Sequence, residues 1–182
     1  MRIVGGKNRS RIIKMVPSDD TRETSDKVRQ AVFNTLDNDI IDAQVLDLFA
    51  GSGAYGLEAL SRGAKFCTFN DAKPLAIKII KENISTLKEE SNTLVIQKDY
   101  NDAIDKIIRE SMKLDIIFLD PPYKLDIYED VMNRLIPALN EGAIIVAEMI
   151  KERVIELERI PEFEFSKERI YGTKKINYFI KK

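Results

Sequence analysis

From Gln44 onward the apolar positions of this 182-residue chain follow two alternating rhythms. Short apolar runs at 45–49, 65–70, 94–98, 114–119 and 143–148 read as buried strands. Between them apolar residues recur at helical spacing: over 56–62, over 74–87 (Ile77, Ile80, Ile84, Leu87), over 102–111 (Ile104, Ile107, Ile108) and over 128–139. Strands separated by helices of that length require right-handed crossovers, so the pattern predicts an α/β fold with a mainly parallel sheet and helices on both faces. The rhythm changes near the end. Residues 162–170 and 174–180, joined through Tyr171, Gly172 and Thr173, predict a C-terminal antiparallel hairpin, which brings the sheet to seven strands.

Before Gln44 the pattern is different again. Residues 1–6 and 11–16 are two short strand-like pieces around a polar, basic turn, which predicts a small N-terminal hairpin. Residues 17–24 are polar and read as irregular. Over 25–36, Val28, Ala31, Val32, Thr35 and Leu36 recur at helical spacing behind Ser25 as N-cap, with Asp26 in the first turn and Arg29 on the flank. The chain thus divides into a basic appendage, 1–36, and a main unit, 37–182.

Composition narrows the function classes. With 44% apolar residues the chain can bury a core, and no run approaches the ~18 apolar residues of a membrane span. No apolar stretch follows Arg2, so no secretory leader is expected. One cysteine and no histidine exclude an internal disulfide and give no zinc constellation; Cys67 reads as a core residue, no metal is expected, and the expected compartment is the cytoplasm. The net charge of −1 hides a segregation. Residues 1–36 carry eight basic against four acidic side chains, and residues 167–182 carry six against one, which leaves the middle strongly acidic. A basic arm on an acidic body suits a polyanionic partner, with Arg2, Lys7, Arg9, Arg11, Arg22 and Arg29 as candidate contacts; plain solvated surface is the alternative.

Three motifs carry chemistry, all at the ends of expected strands. Residues 47–56, DLFAGSGAYG, follow the first strand and open a helix, and Gly51, Gly53 and Gly56 match G-x-G-x-x-G. Asp71 ends the second strand, where a carboxylate accepts from ribose hydroxyls. Together they point to an adenosine-containing ligand: a dinucleotide with its pyrophosphate on the helix N-terminus, or S-adenosylmethionine with Asp47 accepting from its amino group. After the third strand, Asp99 is either an acceptor for the adenine amine or the N-cap of the next helix. Last, Asp120-Pro121-Pro122-Tyr123 follows the fourth run. Two prolines stiffen a loop that then presents an acid, carbonyls and a ring, a set able to accept N–H bonds from an amine and stack on the base that bears it. A strand end with a Pro-Pro turn is the bland alternative.

With the glycine loop, Asp71, Asp99 and Asp120-Pro121-Pro122-Tyr123 in this order, the chain resembles the class I S-adenosylmethionine-dependent methyltransferases, the last motif being similar to that of the amino-nitrogen enzymes. It resembles one family more closely over nearly its whole length, the bacterial 16S rRNA guanine-N2 methyltransferase D family, in Arg2-Ile3-Val4-Gly5-Gly6, TRETSDKVRQAVFN from Thr21, FAGSGAYGLEALSRG from Phe49 and Tyr171-Gly172. The resemblance implies a Rossmann-like catalytic domain and S-adenosylmethionine held by Asp47, Phe49, Gly51, Ser52, Gly53, Asp71, Asp99 and Asp120. It also implies catalysis by Asp120, Pro121, Pro122 and Tyr123 on 16S rRNA in a small-subunit particle, by a monomer. Lys73 stands where that family is expected to have a second acid, and no proline follows Arg22. An adenine-N6 methyltransferase uses the same acceptor chemistry and is the alternative; a nicotinamide enzyme or a binding module stands further off.

Overall fold

The computed structural model describes residues 1–17 and 25–182; Arg22 lies outside the described residues. Helix α1 (Asp26–Leu36) starts on the Ser25 hydroxyl, which accepts from Val28 N at 3.2 Å, as N-cap chemistry expects. The alternation then runs β1 (Gln44–Asp47), α2 (Ala54–Ser61), β2 (Phe66–Asn70), α3 (Pro74–Leu87), β3 (Thr93–Ile96), α4 (Tyr100–Arg109), β4 (Leu114–Leu119), α5 (Tyr128–Leu135) and β5 (Leu139–Ile150). A hairpin of β6 (Phe163–Tyr171) and β7 (Lys174–Lys181) ends the chain, turning on Gly172 and Thr173. Helix α5 stops short of residue 139 because Pro137 has no N–H to extend the ladder; residues 136–138 tighten into a 3₁₀ turn.

The strands form one seven-stranded sheet in the order β3-β2-β1-β4-β5-β7-β6. Pairings from β3 across to β5 are parallel, and β7 lies antiparallel between β5 and β6. This is the Rossmann-like class I arrangement. Residues of the central strands alternate between two cores, as the period of two requires. Val45, Ile116 and Phe118 enter one with α1, α2 and α3, while Leu46, Ile117 and Leu119 enter the other with α4 and α5. The order reverses between β1 and β4, and there the parallel strands' C-terminal ends leave a crevice, the usual place for a ligand in an open α/β sheet.

The expected N-terminal hairpin is reduced to one antiparallel bridge between Arg2 and Ile12. The two pieces hold each other through Ile3 N to the Arg11 carbonyl at 2.9 Å, Ser10 N to the Ile3 carbonyl at 2.8 Å and Ile13 N to the Met1 carbonyl at 3.1 Å, and α2 and α3 supply further partners. Val4 N and Gly5 N donate to the Glu58 carboxylate at 2.9 and 2.8 Å, Asn8 N donates to Ser61 Oγ at 2.9 Å, and Lys14 N donates to Asn83 Oδ1 at 2.7 Å. Ile3, Ile13, Val32, Phe33 and Leu36 enter the same apolar cluster as Val45, Leu57 and Ile80, so the N-terminal pieces and α1 share a core with the sheet. Among the described residues no helix is long and apolar enough to cross a membrane.

Candidate active site

The first wall of the crevice is the loop from β1 into α2. Asp47, buried at the end of β1, accepts from Gly56 N at 3.0 Å and so ties the strand end to the helix it feeds. Gly56 has to be glycine: a Cβ there would stand 2.3 Å from the Phe69 ring and 2.6 Å from Cys67 Sγ, so α2 could not pack on β2. Gly51 is glycine for another reason. Its φ is +56° and a Cβ would meet nothing within 4 Å, so the loop leaves open space above its backbone. Ser52 is buried, its carbonyl accepting from Asn83 Nδ2 at 2.9 Å, and Gly53 closes the turn through Gly53 N to Ala50 O at 2.7 Å.

Asp71, just past β2, is pinned by two backbone donors, Gly51 N and Lys73 N, both at 2.9 Å. The carboxylate is held at one angle with lone pairs to spare. Lys73, the departure noted above, supplies its N–H to this arrangement. Asp99 is exposed and caps α4, accepting from Asn101 N at 2.9 Å, so the capping role is real whatever else the acid does. Phe49, from the loop after β1, and Tyr100, the first residue of α4, bring half-buried rings to 5.6 Å between centroids.

The second wall is the loop after β4. Pro121 is buried, Pro122 and Tyr123 are exposed, and Leu125 N donates to the Pro122 carbonyl at 2.8 Å. Asp120 is half-buried in a crowd of like charge. Burial, then the Glu148 carboxylate, push its carboxyl well above the ordinary range, against the opposing pull of Lys174. Burial also drives Asp47 from 3.8 up to about 7, with the Gly56 hydrogen bond opposing and Asp71 adding to the rise. The Tyr123 and Tyr128 hydroxyls are held up chiefly by burial too. Such a set of displaced acids on one strand edge is a mark of a functional site.

Two members of this cluster were not read from the sequence. Glu148, buried in β5, accepts from Tyr55 Oη at 3.1 Å and from Lys174 Nζ at 2.5 Å, and Lys174 stands 5.4 Å from the centroid of the Tyr123 ring. Glu148 ends an expected strand as the other acids do, which was the available signal; Lys174 lies in the hairpin, and only the antiparallel pairing of β7 with β5 brings it here. One expectation is corrected. Arg29 does not face a nucleic acid: it is fully buried, its guanidinium held by Glu58, Asp26 and the Arg2 carbonyl. Arg2, Lys7, Arg9 and Arg11 are exposed; Lys7 pairs with Glu89 at 2.7 Å, Arg2 with Asp26 at 3.4 Å, and Arg11 donates to the Thr86 carbonyl.

A family model described as Conserved hypothetical protein 95 matches residues 1–180. The chain belongs to that family. It is 35% identical over 175 residues to "Putative rRNA methyltransferase YlbH" of Bacillus subtilis, covering 94% of each chain. To Ribosomal RNA small subunit methyltransferase D of Haemophilus influenzae it is 33% identical over 155 residues, 84% of this chain and 80% of that one. The solved structure of "Putative methyltransferase yhhF from Escherichia coli" superposes with a TM-score of 0.86 at 31% identity, over 100% of this chain and 98% of that one. These relatives carry methyltransferase names, and the crevice between the two walls offers the oriented Asp71 carboxylate as an acceptor and open space over Gly51.

Proposed function

We propose that this protein transfers a methyl group from S-adenosylmethionine to the exocyclic N2 of a guanine in small-subunit ribosomal RNA. The observation that carries the reading is the Asp120 loop, a stiff pair of prolines between an acid and an exposed ring, set at the strand edge beside the glycine loop. Asp71, with both oxygens oriented by backbone donors, holds the ribose; the open face over Gly51 admits the methionine part; Phe49 and Tyr100 flank the adenine, toward which Asp99 turns its free lone pairs. Asp47 faces the amino group, whose positive charge returns this raised acid to its carboxylate form. When bound, the cofactor supplies an electrophilic methyl on a sulfonium.

The protein's task is then to make a poor nucleophile better. The N2 lone pair of guanine is delocalised into the ring. Asp120 and the Pro121 carbonyl accept its two N–H bonds and favour the pyramidal nitrogen of the transition state. As positive charge develops on that nitrogen, a carboxylate with a raised pKa is a better proton acceptor than an ordinary one, so Asp120 takes the proton without a histidine. Tyr123 stacks on the flipped base, and positioning supplies much of the remaining acceleration.

Arg2, Lys7, Arg9 and Arg11 meet RNA phosphates from the docked arm, and Arg22 joins them on sequence grounds alone. The substrate on this reading is a small-subunit particle, met in the cytoplasm by a monomer. Among the described residues the sheet carries no insertion large enough for the target-recognition region that a sequence-specific adenine enzyme needs. Nucleoside mass spectrometry of 16S rRNA from cells lacking and regaining the gene tests the reading directly. N2-methylguanine should disappear and return; loss of an N6-methyladenine instead would put the adenine reading in its place.

A further inference from the structure

Asp120 does not act in isolation, and the groups that face it come from every element packed around it. The parallel register that pairs Leu119 with Ala147 sets Asp120 beside Glu148 of β5, and the pairing of Phe118 with Asp47 places the end of β1 on its other side; Lys174 comes from β7, Tyr123 from its own loop and Tyr128 from α5. Behind Tyr128, Arg153 stands 5.9 Å from the ring centroid and is neutralised by Glu129 at 2.6 Å and Asp126 at 2.7 Å. Lys174 joins two members of that set. Lys174 Nζ lies 2.5 Å from the Glu148 carboxylate and 5.4 Å from the Tyr123 centroid. Topology explains how it gets there: β7 is antiparallel to β5, so its first residue, opposite Ile150, lies at the edge where the parallel strands end. Lys151 N donates to the Thr173 carbonyl at 2.9 Å and holds the hairpin turn to that edge.

We propose that Glu148 and Lys174 are positioning residues of the methyl-transfer site, acting in opposite senses to set the charge state of Asp120 while Lys174 holds the Tyr123 ring. Glu148 is 2% exposed and accepts from Tyr55 Oη as well as from Lys174 Nζ, so it is fixed behind the loop and does not reach the substrate. A fixed anion beside Asp120 favours the protonated acid, and a fixed cation favours the carboxylate. The pair therefore holds Asp120 between an acid too weak to release its proton and a carboxylate too weakly basic to take one. The inference rests on the reading of Asp120 as the acceptor for the amine.

Single-turnover methylation of small-subunit particles lacking the modification, measured against pH, tests it. Rate should fall on the acid side as Asp120 becomes protonated. Lys174→Met removes the cation, so the acid limb should move up by roughly one pH unit; Glu148→Gln removes the anion, so the limb should move down by about as much. Lys174→Arg keeps the charge and should keep the parent limb. Cofactor calorimetry and thermal unfolding on the same variants separate these shifts from general damage, and if Lys174→Met does not fold, the Glu148→Gln and Lys174→Arg pair still decides. Limbs that stay put, or that move the same way in Lys174→Met and Glu148→Gln, overturn the proposal. If Asp120→Ala itself transferred methyl groups at the parent rate, the reading of the site would fall instead, which keeps the two failures apart.

Discussion

Glu58 and Asp120 are both carboxylates turned into the protein, and their surroundings could hardly differ more. Glu58 is fully buried in α2 and receives Val4 N, Gly5 N, the Arg29 Nε at 3.4 Å and the Arg62 Nε at 2.7 Å, so donors and positive charge surround it. Asp120 sits among Glu148, Asp47 and two tyrosines, with Lys174 the cation that opposes its rise. The first arrangement locks the N-terminal arm, α1 and α2 into one piece. The second leaves a carboxyl displaced from its ordinary titration range, which is poor for stability and useful for proton chemistry. A satisfied charge marks a strut and a crowded one marks a site.

Breaking the strut should have the largest effect on the fold. Glu58→Ala takes one of two carboxylates from buried Arg29 and the acceptor from Val4 N and Gly5 N, and removal of one partner of a buried pair typically costs about 3–5 kcal/mol. Its melting temperature should drop by roughly 10 °C or more, on a scale of about 2–4 °C per kcal/mol for a chain of this size. A drop within about 2 °C would mean the arm is held by its apolar contacts alone.

The site should respond with the opposite sign. Asp47 is raised to about 7, so between pH 3.8 and 7 the folded protein holds a proton that the unfolded chain has released, and stability falls as pH rises through that window. Asp47→Asn retains an acceptor for Gly56 N and removes the charge. It should match the parent near pH 4 and exceed it by on the order of 4 kcal/mol at pH 8 in denaturant unfolding. A variant less stable than the parent at pH 8 would place Asp47 with the struts.

The smallest effect concerns the exposed face of the arm, and it sharpens the contrast between buried Arg29 and its exposed neighbours. Arg9→Ala with Arg11→Ala should weaken RNA binding and reduce the slope of log affinity against log salt by roughly one to two, leaving cofactor affinity unchanged. An unaltered slope would leave these side chains as solvated surface.

Much of the fold was legible because strand and helix rhythms alternate cleanly, and the acids Asp47, Asp71, Asp99 and Asp120 mark strand ends that a parallel sheet must align. Arg29 was misread for a physical reason. Its charge suggested solvent, yet it lies three, four and seven residues before Val32, Phe33 and Leu36, on the apolar stripe of α1. Glu58 carries the matching signal, a lone charge in a helix whose residues from Tyr55 to Ser61 are all buried. Each makes sense of the other only once the helices are packed together. Lys174 was hidden because nothing local in the hairpin says which edge of the sheet its turn will reach. The N-terminal pieces had a strand pattern and pair with each other over a short stretch, through Ile3 N to Arg11 O and Ile13 N to Met1 O, while Val4, Asn8 and Lys14 donate to side chains of α2 and α3.

Asp120→Ala, followed by single-turnover methylation, cofactor calorimetry and thermal unfolding, tests the central claim most directly. The account predicts methyl transfer reduced by at least about 100-fold, the scale of a lost transition-state acceptor, with cofactor affinity and melting temperature close to the parent's. Transfer at near the parent rate, or a fall in melting temperature like that expected for Glu58→Ala, would contradict it.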